Sequence, residues 1–191
     1  ICKDVCPANI DCPSLVESAR RELVSRGAMT EKQAALNEKI LQSGNTFGET
    51  RDRLAWLNDR SLLKDKADYI YFVGCMNSYR YQKTASSTFS ILRRFGATLL
   101  PAEMCCGSPL LRMGFDASLL MEDNIRQIKR IGAETIITGC AGCYTTLKRS
   151  YSGDLQVLSV PEFLADKISD LDLRTLNLNV TYHDPCHLGR H

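Results

Sequence analysis

Thr135-Ile-Ile-Thr-Gly-Cys-Ala-Gly-Cys-Tyr144 decides how this sequence folds. Its first four residues read as a strand, Gly139 closes it, and residues 141–150 read as the helix behind it. The same order recurs on both sides. Upstream, Tyr69-Ile-Tyr-Phe-Val73 is an apolar β-type run bounded by Gly74. Residues 79–95 follow as a helix with Ala85, Phe89 and Leu92 on one stripe and Gly96 as its stop. Ala97 to Leu100 reads as a second strand, followed by a helix from about 117 to 131 that carries Met121, Ile125 and Ile128. Downstream, Gln156 to Ser159 is a fourth strand leading into a helix at 161–168, and Asn179 to Tyr182 is a fifth. Short strands alternating with helices predict βαβ units and a mostly parallel, Rossmann-like α/β sheet with flanking helices.

The region before this alternation is different. Residues 13–57 read as helical, with capping boxes at Ser14–Glu17 and Thr30–Gln33 and stops at Gly27 and Gly44. Charge density rises from Asn58 to Asp68, which places a boundary there and predicts a helical lobe with its own core. The whole chain has 191 residues, is 44% apolar and 24% charged, and carries a net charge of +2. That composition is globular, and the small net charge gives no field for nucleic acid. The longest apolar run, Tyr69 to Met76, is too short to cross a membrane. Neither G-x-G-x-x-G nor a P-loop is present, so a flavin or nicotinamide is expected on a partner.

Nine cysteines are the outlier. An odd count excludes complete internal pairing, and thiolate metal ligation is the better first reading. Cys75, Cys105, Cys106, Cys140 and Cys143 each follow a predicted strand, so a parallel sheet would gather them at its carboxyl edge. Five thiolates in one place need a cation. A single zinc takes four ligands and leaves one over; a polynuclear iron–sulfur centre uses all five and can spread the adjacent pair over different irons. Five unrelated core cysteines are the weakest alternative. Cys2-Lys-Asp-Val-Cys6-Pro7 matches the tail of a bacterial ferredoxin run. Position 1 is Ile, so the sequence reads as part of a longer protein. Cys12 has no partner at ligand spacing and reads as a packed residue. His183, His187 and His191 read as loop residues, since Pro185 opposes a helix that would align them.

Cys75, 29 residues, Cys105-Cys106-Gly107, 32 residues, and Cys140-Ala-Gly-Cys143 together resemble the cysteine-rich CCG domain of heterodisulfide reductases and related iron–sulfur oxidoreductases. A ferredoxin-like part before a CCG part resembles the D-type polypeptide of that family. Thr181-Tyr-His-Asp-Pro-Cys186 resembles the opening of a second CCG copy. The resemblance implies three units: residues 1–66 as the C-terminal half of a helical two-cluster ferredoxin-like domain, 67–175 as the CCG domain, and 176–191 as the start of a second repeat. It implies a non-cubane 4Fe–4S centre on Cys75, Cys105, Cys106, Cys140 and Cys143. It further implies cubane 4Fe–4S clusters that draw on Cys2 and Cys6, and a ligand role for Cys186.

The function expected from the resemblance is that of an iron–sulfur oxidoreductase subunit. Electrons would pass from cubane clusters to the CCG centre, where an organic disulfide is reduced or formed. No acid–base catalytic residue is assignable beyond the cluster ligands. Expected partners are a flavoprotein, a cytochrome b-like membrane protein or a ferredoxin, with a small thiol or disulfide as substrate. The expected location is cytoplasmic, at the membrane only through a partner. The alternatives are an electron-relay component of a flavin-dependent 2-hydroxy acid or glycerol-3-phosphate dehydrogenase complex, and a zinc-stabilised interaction module.

Overall fold

In the computed structural model, residues 6–151 and 155–189 are described. Helices α1 (Cys12–Ser25) and α2 (Glu31–Ser43) open the chain. Asp11, not Ser14, caps α1: its side chain accepts from the Ser14 N–H at 3.2 Å, and Pro13 occupies the first turn, where a missing N–H costs nothing. At α2 the expected capping box forms, with Thr30 and Gln33 satisfying each other's backbone N–H groups. Gly44 ends α2 in the left-handed conformation that favours glycine.

The sheet follows. Strands β1 (Tyr69–Phe72), β2 (Thr135–Thr138) and β3 (Gln156–Ser159) lie side by side in that order, all parallel, with Tyr69 opposite Thr135 and Thr135 opposite Gln156. The expected second strand shrinks to one parallel bridge. Thr98 exchanges hydrogen bonds with Tyr69 and Tyr71, while its hydroxyl accepts from the Lys64 N–H, and Pro101 soon after removes a donor. The expected fifth strand is also absent. Residues 179–182 are irregular, with Val180 86% exposed, because among the described residues no strand pairs with them. The alternation there has a strand's period, but a strand needs a neighbour.

Helices cover both faces of the sheet, so the two middle residues of every strand, Ile70 and Tyr71, Ile136 and Ile137, Val157 and Leu158, are apolar. On one face Ile70, Phe72 and Ile136 pack against Ile128 and Ile131 of α6 (Ser118–Ile131) and Leu147 of α7 (Ala141–Ser150). On the other, Tyr71, Val73 and Ile137 meet Ala85, Phe89 and Leu92 of α4 (Gln82–Leu92) and Phe163 of α8 (Val160–Ala165). The helix expected over 79–95 divides into α3 (Gly74–Tyr79), α4 and a 3-10 turn at Arg93–Phe95.

The expectation of a separately cored helical lobe is corrected here. Leu54 and Trp56 belong to the second face of the sheet, and Ile40 of α2 packs with Cys75, Cys105 and Leu110 of α5 (Ser108–Met113). In contrast, α1 buries no residue and leaves Leu15 and Leu23 exposed.

Candidate metal centre

Three βα-type turns deliver the five cysteines to one edge of the sheet. Cys75 follows β1 in the first turn of α3, Cys105 and Cys106 follow the Thr98 bridge and precede α5, and Cys140 and Cys143 follow β2 at the start of α7. The sulfurs adjoin one another in the order Cys75, Cys105, Cys106, Cys143, Cys140, each close enough to shift the acidity of the next. All are buried except Cys140, which is half-buried and forms the open end. Gly74 makes this approach possible: its φ is +76°, and a Cβ there would lie 3.1 Å from Cys143 Sγ and 3.7 Å from Cys140 Cβ.

Donors surround the sulfurs. Cys75 accepts from the Thr46 N–H and, at 3.3 Å, from Arg53 Nη2. Cys105 accepts from the Gly107 N–H and Cys106 from the Ser108 N–H. Cys140 caps α7, accepting from the Gly142 N–H and, at 3.5 Å, the Cys143 N–H. Hydrogen bonding among the sulfurs splits their acidity. The bond from Cys143 pulls Cys140 down to about 6, and bonds from Cys105 and Cys143 pull Cys106 down as well. The donors move up: Cys105 to about 12 through its bond to Cys106, Cys75 through its bond to Cys105 and through burial, and Cys143 through Cys106 and Cys140. All five can ionise together only if a bound cation offsets their repulsion.

Among the described residues, no group of three or more His, Cys, Asp and Glu side chains surrounds a common point as the ligands of one ion would. The five sulfurs adjoin one another in series instead. Soft thiolate donors aligned this way, four of the five supplied with N–H groups, fit an anionic iron–sulfur centre of several metal atoms.

Behind the sulfurs stand groups that sequence reasoning missed. Arg53 and Glu103 form a buried ion pair, with Arg53 Nε and Nη2 each 3.0 Å from Glu103 Oε1. Glu103 also accepts from the Val73 N–H at 2.7 Å and the Gly74 N–H at 2.9 Å. Burial pushes its carboxyl up, yet all its contacts are N–H donors, so it sits as a carboxylate. Burial opposes the charge on Arg53, and Glu103 and Cys75 outweigh it, so its pKa is raised. Asn124, fully buried, accepts from the Met104 N–H at 2.8 Å and donates to the Met104 carbonyl at 3.2 Å and to Tyr151 Oη at 2.9 Å. No spacing signal marks these residues; only their partners in space do.

The remaining candidates stay apart. Cys6 is half-buried and accepts from the Ile10 N–H at 3.4 Å, while Cys186 is exposed at the start of α9 (Cys186–Gly189). Neither joins the chain of five, nor does Cys12. Cys2 and His191 lie outside the described residues. The carbonyl of His187 accepts from Thr145 Oγ1 at 2.6 Å and its ring lies beside Arg112, which makes it a packing residue of the α7–α9 contact.

Comparison with known proteins adds the decisive observation. Residues 69–148 match the family model of the CCG cysteine-rich domain. This segment is a CCG domain. It holds all five chained cysteines. Across its full length the chain is 35% identical over 210 residues to the D-type polypeptide of the dihydromethanophenazine:CoB–CoM heterodisulfide reductase of Methanosarcina barkeri, covering 51% of that protein. Its identity to the same polypeptide of Methanosarcina mazei is 36%, again over 51% of the relative. It is 34% identical over 198 residues to the B-type polypeptide of the fumarate reductase (CoM/CoB) of Methanothermobacter marburgensis, covering 99% of this chain and 40% of the relative. The chain thus spans about half the length of the curated relatives it matches. No solved structure matches.

Proposed function

We propose that Cys75, Cys105, Cys106, Cys140 and Cys143 ligate one non-cubane 4Fe–4S centre, in a heterodisulfide reductase-like oxidoreductase that reduces or forms an organic disulfide. The observation that carries this reading is the chain of five sulfurs, drawn from three separate turns and ringed by N–H donors. The names of the relatives support the substrate class, since both the reductase and the fumarate reductase are named with CoM and CoB. In this reading residues 67–175 form the CCG unit. Cys2 and Cys6 of 1–66 serve cubane clusters, and Cys186 opens a second copy within 176–191.

The bound centre would supply single-electron storage and soft iron sites for sulfur. This chain's own residues do the rest. Gly74 lets the β1 and β2 turns close together, Asn124 and Tyr151 hold the Met104–Cys106 turn, and each of the five cysteines except Cys140 is buried. The half-exposed Cys140 end is therefore where a small disulfide would approach. Among the described residues no helix is long and apolar enough to cross a membrane. Any membrane contact would run through a cytochrome b-like protein; a flavoprotein or ferredoxin would be the other redox partner, on the cytoplasmic side.

The test is electron paramagnetic resonance of the oxidised full-length protein, with and without added thiols. A new thiol-dependent signal is expected. Intact clusters whose spectrum ignores thiols would instead identify an electron relay.

A further inference from the structure

We infer that Arg53 and Glu103 set the reduction potential of the five-cysteine centre, acting with opposite sign through Cys75. The inference rests on the proposal that these cysteines ligate an iron–sulfur centre.

The geometry is specific. Arg53 Nη2 lies 3.3 Å from Cys75 Sγ and 3.0 Å from Glu103 Oε1, which Nε also reaches at 3.0 Å. Both side chains are buried, at 8% and 1% exposure. A buried ion pair is a poor source of stability, since well-packed apolar residues of the same volume often do as well or better. What it offers here is a fixed charge next to a ligand sulfur in a region of low dielectric, where Coulomb interactions are weakly screened. A hydrogen bond to a ligand sulfur, strengthened by positive charge, withdraws electron density and favours the reduced centre. Glu103 works the other way. Its carboxylate offsets the guanidinium, and by accepting from the Val73 and Gly74 N–H groups it fixes the backbone immediately before Cys75. Tyr79 completes the holder, with the Arg53 guanidinium 5.6 Å from its ring centroid. The pair joins residues 50 positions apart, one from each side of the Asn58–Asp68 boundary, so the segment before the CCG domain reaches into its site.

These are positioning residues, and a structural role alone would not give shifts of opposite sign. The experiment is a redox titration of the full-length protein followed by electron paramagnetic resonance, with iron and sulfide measured on the same samples. Arg53→Gln should retain the centre and titrate at a more negative potential. Glu103→Gln should move it to a more positive potential, and Arg53→Lys should return it toward the wild-type value. Unchanged potentials in centre-bearing variants, or shifts of the same sign, would overturn the inference. If Arg53→Gln loses its iron, Glu103→Gln decides alone: a positive shift supports the assignment, and no shift or a negative one rejects it. Wild-type protein without iron and sulfide would overturn the site assignment itself, and this inference with it.

Discussion

The Cys105 N–H donates to the Gly44 carbonyl at 2.7 Å, so the end of α2 holds the turn that carries the adjacent cysteine pair. Gly44 adopts φ +67° there, and a Cβ would meet Met104 Sδ at 2.5 Å. The helical segment is therefore part of the wall of the site.

One consequence is cooperative unfolding. Ile40 is fully buried against Cys75 and Cys105, so Ile40→Ala should cost about 2–5 kcal/mol for the whole molecule. Circular dichroism of the wild type and the variant should each show a single thermal transition, shifted down in the variant. Two transitions, with only the first sensitive to Ile40, would mean that the helical segment is independent after all.

Gly74→Ala should lower cluster occupancy more than stability. The left-handed backbone costs a non-glycine residue roughly 1–2 kcal/mol. The new methyl would also press on Cys143 Sγ, 3.1 Å from its position. Iron content per folded protein, measured beside the melting temperature, separates the two effects. Full occupancy in the variant would contradict the close approach of the two turns.

Much of this is legible in the sequence, and the exceptions have physical causes. The strands at 69–72, 135–138 and 156–159 and the convergence of five cysteines follow from periodicity and from the position of each cysteine after a strand. The shared core is not legible, because Ile40, Leu54 and Trp56 look the same in sequence whichever neighbour they bury against. Residues 97–100 have a strand's composition but only one bridge, at Thr98, and Pro101 directly after them has no N–H to extend it. Arg53 carries no signal in sequence, since its partner Glu103 lies fifty positions away.

Asn124→Ala should loosen the cysteine pair from behind. Removing the side chain orphans the Met104 N–H, at roughly 1–3 kcal/mol for a buried group left unpaired, and leaves the Tyr151 hydroxyl with only the Cys106 carbonyl at 3.5 Å. Tyr151→Phe deletes only one hydroxyl and should cost about 1 kcal/mol. Urea denaturation should rank them in that order, with iron content falling in the same order. Equal effects would remove Asn124 from its role as the main clamp.

Ser159→Ala tests whether damage elsewhere in the fold reaches the centre. It breaks the capping box with Glu162 at the start of α8, at the end of the strand next to the one that leads into Cys140, and should cost about 1 kcal/mol. Chemical denaturation should register that loss while iron and sulfide content remain at the wild-type level. Loss of iron in this variant would show that metal content follows general stability and not the sulfur ligands.

The most direct test is iron and acid-labile sulfide analysis of wild-type, Cys106→Ser and Cys12→Ser protein, purified without oxygen. Cys106 sits at the middle of the sulfur chain, and a hard hydroxyl replaces a soft thiolate poorly. Cys12 lies outside that chain. Wild type and Cys12→Ser should hold iron and sulfide in equal numbers, and Cys106→Ser should lose the share that belongs to the CCG centre. Zinc without sulfide in the wild type, or a Cys106→Ser protein with its full iron and sulfide, would contradict a five-cysteine iron–sulfur centre.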